Sequence, residues 1–193
     1  GLGGVRLVIS DAHEGLKGAI ATVLLGAAWQ RCRVHFLRNV LSRIQKGRAE
    51  MVLALVRTIW AQPDAAAVRE QLDAVADKLG PGFPVVAAML REAREDVTAF
   101  AAFPFAHWKK IWSTNPLERV NKEVKRRSDV VGIFPNEAAV LRLAGAVLLE
   151  VHDEWAIAER RYLAEGSMAL LDRDPDDGLT KEVDGGKSLL LAS

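Results

Sequence analysis

Two patterns of apolar positions alternate at the start of the chain. The β-branched run over 5–10 predicts a strand that stops at Asp11, and apolar positions over 14–28 recur at the spacing of a helix. A weaker strand is predicted over 29–33, and the helical stripe that follows it is expected to end near Gly47. This part of the chain therefore predicts a strand, a helix, a strand and a helix.

Helical periodicity dominates the chain after this point. Apolar stripes over 48–103 predict only helices, the last of them running from residue 84 to about 102. Asn115 is expected to cap the next helix, with Pro116 at its first position, and Asn136 to open another long helix. The pattern indicates a mixed α/β protein that is predominantly helical, with an all-helical insertion in a small α/β core.

These patterns divide the chain into four parts. Residues 1–47 are expected to form the partial α/β core, 48–112 the helical insertion, and 113–171 the C-terminal core helices. Residues 172–193 hold six acidic and three basic residues, several glycines and no periodicity, which predicts a flexible tail. The sequence begins with Gly1 and has no initiator Met, so we expect the chain to belong to a longer protein.

The composition excludes several classes of protein. With 50% hydrophobic residues among 193, the chain has enough apolar surface to fold, so disorder throughout is excluded. The single cysteine, Cys32, excludes an internal disulfide and favours the cytoplasm as the compartment. The apolar runs of the chain are too short for a membrane span, so no membrane partner is expected.

The net charge of +1 hides an uneven distribution of charge. Residues 31–48 contain six basic residues and no acidic one, and 109–127 contain seven basic and two acidic residues. Such blocks can neutralise the phosphates of a nucleic acid. The alternative is that these side chains only solvate the outer faces of amphipathic helices, and the charge pattern leaves both interpretations open.

One face of the helix predicted after Asn115 combines two kinds of charge. Glu118, Asn121, Lys122 and Lys125 share this face, because they are spaced three, four and seven residues apart. A carboxylate that binds a metal, beside lysines that hold phosphates, would suit phosphoryl transfer. The alternative is that Glu118 completes a capping box and pairs with the lysines, and the pattern alone favours this alternative.

Two further positions could carry chemistry. Asp11 lies at the carboxyl end of a strand, where ligand-binding groups of α/β sheets are found, although it could instead cap the following helix. Cys32 and His35 have the Cys-x-x-His spacing of two zinc ligands. A structural zinc site needs four ligands, so we expect a packed cysteine and a polar histidine here.

Three sequence blocks stand out when they are considered together. They are VISDAHEGL over 8–16, CRVHFLRN over 32–39 and WSTNPLERVN over 112–121. In this order they resemble the Mutator-type bacterial insertion-sequence transposases, and the resemblance continues through GIFPN over 132–136 and DEW over 153–155. Three ordered blocks are far more specific than any one of them.

The resemblance implies a DNA transposase of the DDE type, with an RNase H-like core and a carboxylate triad that uses Mg²⁺ or Mn²⁺ to cut and join DNA. Asp11 matches the second carboxylate and Glu118 the third, and both would be catalytic metal ligands. Glu123 competes for the third place, but it lies about 140° around the helix from the face of Asn121 and Lys125.

The resemblance also implies supporting roles and partners. Cys32 and His35 match the family's Cys-x-x-His element and are expected to brace the site, and Lys125 matches a basic residue near the DNA strand. The side chains expected to bind DNA are Asn121, Lys122, Lys125 and Arg126. The implied partners are transposon-end DNA, target DNA and further copies of the protein.

One departure from the family pattern changes the expectation for this chain. The family's first catalytic aspartate lies on an earlier strand, and no residue of this chain matches it. We therefore expect a C-terminal part of the catalytic region, with little activity by itself. The alternative is a non-catalytic DNA-binding or oligomerisation module.

Overall fold

The computed structural model describes residues 3–157, 162–164 and 166–172. Two strands, β1 (Leu7–Ser10) and β2 (Ala28–Arg31), pair in parallel with Leu7 opposite Ala28. The α-helices are α1 (Glu14–Val23), α2 (Arg33–Leu41), α3 (Lys46–Arg57), α4 (Ala65–Leu79), α5 (Pro84–Glu92), α6 (Arg94–Thr98), α7 (Trp108–Ile111), α8 (Asn115–Val131) and α9 (Glu137–Ile157). Short 3₁₀ turns cover Thr58–Ala61, Ala99–Ala102, Phe105–His107 and Ser167–Asp172.

The parallel strands are joined by a helical crossover. Parallel neighbours cannot be linked by a tight hairpin, and α1 provides the longer connection that they need. His13 begins α1, because its Nδ1 atom accepts a hydrogen bond from the amide of Leu16 at 3.3 Å. Gly26, with a φ of +83°, turns the chain from α1 into β2 in a conformation that side chains disfavour.

The hydrophobic core lies among the helices rather than around the sheet. Phe100 packs edge to face against Trp108, with ring centroids 5.0 Å apart, and against Trp112 at 5.9 Å. Buried side chains of α2, α3, α4, α5 and α6 and of the 3₁₀ turn Thr58–Ala61 complete the cluster. The largest of them that are fully buried are Phe36, Ile59, Leu72, Leu90, Val40, Val52, Val56, Val68, Val86 and Val97. Helix α2 thus shares one core with the helical segment that follows it.

The predominantly helical α/β class is confirmed, but several predicted helix ends are wrong. Helix α1 ends at Val23 instead of continuing to residue 28, and α2 ends at Leu41, so Gly47 lies inside α3. The predicted helix over 84–102 is interrupted at Ala93, whose backbone leaves the α conformation. Of the predicted tail, only its first residue lies within the described residues.

The predicted cap of α8 is off by one residue. Thr114 is the cap, because its carbonyl accepts the first helical hydrogen bond from the amide of Glu118 at 3.0 Å. Pro116 therefore occupies the second position of the helix instead of the first. The cap of α9 follows the prediction, since Asn136 Oδ1 accepts a hydrogen bond from the amide of Ala139 at 2.9 Å.

Helices α8 and α9 contact each other but bury little apolar surface. No side chain of α8 is buried, and Val147 is the one buried side chain of α9. Arg127 joins the two helices, because it lies 2.9 Å from Glu123 and 2.5 Å from Glu150. No helix in the described ranges is both long and apolar enough to cross a membrane.

A buried glutamine fastens the sheet to the helical core. Gln30 of β2 is inaccessible to solvent, and its Oε1 atom accepts a hydrogen bond from the amide of Phe100 at 2.7 Å. Its Nε2 atom donates to the carbonyl of Val97 at 3.2 Å and to that of Arg31 at 2.8 Å. The amide of Phe100 thus bonds to a side chain instead of to a helical carbonyl, which helps to explain why α6 ends at Thr98 and does not continue to residue 102.

We expect Gln30→Leu to lower the free energy of unfolding by about 2 kcal/mol, because it leaves the buried amide of Phe100 and carbonyl of Val97 without partners. Urea denaturation measures the change. Gln45→Leu is the matched control, since Gln45 is exposed and its side chain caps no helix, and it should stay within about 0.5 kcal/mol of the wild type. Equal stability of the Gln30 and Gln45 variants would contradict the fastening role.

Candidate active site

Three segments meet at Cys32, a place that we call the Cys32 junction. The amide of Cys32 donates to the carbonyl of Ser10 at 2.8 Å, and the amide of Arg33 donates to the carbonyl of Trp112 at 2.8 Å. The buried Sγ atom of Cys32 accepts a hydrogen bond from the amide of Thr114 at 3.4 Å and lies 3.3 Å from the hydroxyl oxygen of Thr114, which can accept the thiol proton. The end of β1, the start of α2 and the start of α8 are therefore held side by side.

The carboxylate of Glu118 is oriented at this junction by two neighbours. The hydroxyl of Thr114 donates to its Oε1 atom at 3.0 Å, and Nε2 of His35 lies 3.2 Å from the same oxygen. Neither contact uses the Oε2 atom of Glu118. The side chain is 43% exposed, against 22% for His35, so this carboxylate is held firmly and remains accessible from solvent.

Asp11 follows the strand that the junction holds. Its side chain is exposed, and Oδ1 accepts a hydrogen bond from the amide of Ala12 at 2.8 Å. The alternative that Asp11 caps α1 is wrong, because His13 does so. Hydrogen bonds from Ser10 through Cys32 and Thr114 connect the strand end to Glu118, although the two carboxylates do not touch.

Glu123 has a different environment from Glu118. Arg126 forms two hydrogen bonds to its carboxylate, at 2.6 and 3.0 Å, and Arg127 forms a third at 2.9 Å. These hydrogen bonds, that of Arg126 first, lower the pKa of Glu123 to about 2. Its oxygens are thus already bonded to cations, whereas Oε2 of Glu118 lies outside the contacts that position that residue.

The side chains of α8 that are predicted to bind DNA differ in whether a neighbouring carboxylate pairs with them. Asn121 and Lys122 are exposed, and no ion pair forms at Lys122 within the part of the chain that the structure describes. Lys125 lies 3.3 Å from Asp129, but exposed pairs of this kind contribute little. Arg126 is the exception, because its guanidinium is fully engaged by a carboxylate.

Sequence reasoning missed two of these contacts. The pairing of Arg126 and Arg127 with Glu123 has a local signal, since residues three and four apart lie together on a helix. The contact between His35 and Glu118 has no local signal, because it joins residues that are distant in the chain and is created by the packing of α2 against the segment before α8. Only the family resemblance indicated that His35 lies at the site.

The carboxylates provide the oxygen donors that Mg²⁺ and Mn²⁺ prefer. Within the described ranges, however, no group of three or more His, Cys, Asp or Glu side chains is arranged to hold a metal ion. The type of donor at Asp11 and Glu118 fits such an ion, but the number of donors does not complete a site.

Comparison with known proteins gives a consistent result. The model of the family described as "Transposase, Mutator family" matches residues 1–158. The chain is 53% identical over 163 residues to the transposase for insertion sequence element IS1081 of Mycobacterium tuberculosis, an alignment that covers 84% of this chain and 39% of that protein.

Two other relatives come from different bacteria. The transposase for insertion sequence element ISRM5 of Rhizobium meliloti is 41% identical, over 83% of this chain and 40% of its own length. The transposase for insertion sequence element IS256 in transposon Tn4001 of Staphylococcus aureus is 39% identical, over 84% of this chain and 42% of its own length. The chain spans about two fifths of the length of these curated relatives. Because the family model covers most of the chain, the chain belongs to the Mutator family of transposases.

Proposed function

We propose that this chain forms part of a DDE-type DNA transposase, in which Asp11 and Glu118 are two carboxylates of the catalytic site. The observation that carries the proposal is the Cys32 junction, which holds an oriented Glu118 next to the strand that ends at Asp11. The parallel strands β1 and β2 with their crossover helix α1 suit part of an RNase H-like core. The relatives are transposases of insertion sequences, which supports DNA as the partner.

The residues of this chain would orient the site. A bound Mg²⁺ or Mn²⁺ supplies the Lewis acidity for phosphoryl transfer. Asp11 and Glu118 would hold it together with a third carboxylate from elsewhere in the protein. Thr114 and His35 fix one oxygen of Glu118, so the other oxygen can point toward a ligand without loss of side-chain freedom on binding. Buried Cys32 keeps Thr114 in place.

The exposed face of α8 would bind the phosphates of DNA. Lys122 and Lys125 follow Glu118 by four and seven residues, so they lie on the same face of the helix as the carboxylate. Asn121 adds an uncharged donor there. Arg126 is expected to contribute less, because Glu123 already balances its charge. A DNA strand bound to this face of α8 would pass beside Glu118, which cleavage and transfer of that DNA strand require. Synapsis of two transposon ends would need further copies of the protein.

We expect Glu118→Gln and Asp11→Asn to weaken the binding of Mn²⁺ to the chain–DNA complex by at least about tenfold, since each change removes a charged oxygen ligand. Electron paramagnetic resonance of free Mn²⁺ measures the binding. Glu123→Gln is the matched control, because this carboxylate lies on the same helix but is bonded to Arg126 and Arg127, and it should bind Mn²⁺ as the wild type does.

The roles of the carboxylates are wrong if Glu123→Gln loses Mn²⁺ binding while Glu118→Gln keeps it. They are also wrong if the chain cleaves DNA in the presence of Mg²⁺ and Glu118→Gln cleaves equally well. DNA binding that no metal and no carboxylate variant alters would favour the alternative of a non-catalytic DNA-binding module.

We expect the double variant Lys122→Gln, Lys125→Gln to bind DNA more weakly and with a shallower dependence on salt. Each phosphate contact contributes about 0.9 to the slope of log K against log salt, so the slope should fall by about 2. Fluorescence anisotropy of labelled DNA at several salt concentrations measures it. Lys78→Gln removes an exposed charge from α4 and should leave the slope unchanged. An unchanged slope in the double variant would exclude this face of α8 from the DNA interface.

A further inference from the structure

A cleft of aromatic and cationic side chains lies next to the Cys32 junction. It has a volume of about 570 Å³, within the range of about 300–1,000 Å³ that is typical of small-molecule sites. Among the residues that the structure describes, three cations line it, Arg33, Arg57 and Lys109, and no carboxylate does. Its aromatic residues are Trp60, Phe105, Trp108 and Trp112. The cleft therefore combines positive charge with aromatic side chains, of which Phe105 is exposed and Trp60 and Trp108 are buried.

Arg33 occupies an unusual position in this cleft. Its guanidinium carbon lies 4.0 Å from the ring centroid of Trp112 and 5.6 Å from that of Trp60. No carboxylate of the described residues pairs with it, and burial together with the charge of Arg57 lowers the pKa of Arg33. An anion bound in the cleft would offset both the burial of this charge and its repulsion by Arg57.

Two buried donors in the cleft also lack an acceptor. Nε of Arg33 and Nε1 of Trp60 are shielded from solvent and have no hydrogen-bond partner within the described part of the chain. The Trp60 side chain belongs to a residue that is only 4% exposed. Buried donors without partners are destabilising, and folded proteins rarely tolerate them unless a ligand or water completes the contact. These two donors lie behind the surface of the cleft, so the exposed cations Arg57 and Lys109 are the groups that an anion in the cleft meets first.

The combination of groups selects the kind of ligand. Arginine and lysine bind phosphates, and aromatic side chains bind the flat faces of nucleic-acid bases. Phe105 is 57% exposed at the edge of the cleft and packs 4.9 Å from Trp108, so its ring is available for stacking. A base inside a duplex already stacks on its neighbours, whereas an unpaired nucleotide offers both its phosphate and a free base.

The position of the cleft connects it with the carboxylate site. Arg33 is bonded through its amide to the carbonyl of Trp112, and both residues line the cleft. Cys32 and Thr114, their neighbours along the chain, form the contact that positions Glu118. Arg33 and Trp112 are thus within two positions in the chain of the residues that position Glu118. A DNA strand bound at Glu118 would therefore pass close to the cleft.

We propose that this cleft binds an unpaired nucleotide of a DNA strand, with Arg33, Arg57 and Lys109 on its phosphate and the exposed ring of Phe105 on its base. The proposal rests on the proposed function in taking DNA as the partner. It adds that the protein distinguishes an extruded or unpaired nucleotide from one that is stacked in a duplex, a property that Asp11 and Glu118 would not provide.

The test uses the full chain and three DNA molecules of one sequence. They are a plain duplex, the same duplex with one unpaired thymidine, and the same with an abasic residue in place of that thymidine. We expect the unpaired thymidine to raise the affinity about tenfold at constant salt, and the abasic residue to remove the gain, because stacking of the base is lost. Fluorescence anisotropy gives the three affinities.

Exposed cleft residues allow variants that should still fold. Phe105→Leu removes a ring for stacking, and Lys109→Gln removes a charge, so each should reduce the preference for the unpaired nucleotide. The matched controls are Trp155→Leu, an exposed aromatic on α9, and Lys78→Gln on α4, and both should keep the preference. A fluorescent purine analogue at the unpaired position should be quenched by the wild type and less by Phe105→Leu.

The outcomes separate this proposal from the proposed function. Salt-dependent binding of all three DNA molecules with equal affinity would overturn the cleft proposal and leave DNA as the partner. A preference that the controls lose as strongly as the cleft variants would also overturn it. If the chain bound none of the DNA molecules, both the cleft proposal and the DNA partner would be wrong.

Discussion

The thiol of Cys32 and the two backbone hydrogen bonds beside it determine how the carboxylate site is built. The Sγ atom contacts both the amide and the hydroxyl of Thr114, and the amides of Cys32 and Arg33 donate to the carbonyls of Ser10 and Trp112. Through these bonds β1, α2 and α8 converge, although they lie far apart in the sequence. A sulfur atom accepts only weakly, so the junction depends on its complete burial to exclude competing water.

Rigidity at this junction comes from the helical core. Helix α2 carries His35 on the side of Glu118, while Phe36 and Val40 of the same helix are fully buried among α3, α4 and α5. Buried Gln30 ties the neighbouring strand to the same core. The small sheet has little apolar surface of its own to bury, so the helices supply the stability and the sheet supplies the position of Asp11.

Local pattern predicted most of the elements, and with them the placement of Asp11 after β1 and of Glu118 on α8, but not the contacts between the elements. A β-branched run indicated β1, and periodicity indicated the helices, because these signals depend on burial of one face. The end of α6 at Thr98 was not predictable, since it coincides with the bonds that Gln30, distant in the sequence, makes to Val97 and Phe100. The cap at Thr114 was missed because Asn115 is the better capping residue by type. The role of His35 depends entirely on tertiary packing.

The long segment of chain between Cys32 and Thr114 has a consequence for the order of folding. Cys32 and Thr114 are 82 residues apart, and nearly all of the hydrophobic core lies in the chain between them. Closing so long a loop costs conformational entropy that two weak bonds to sulfur do not offset. Collapse of the intervening helices must first bring the ends together, so the carboxylate site forms late, and its assembly reports that the helical core is complete.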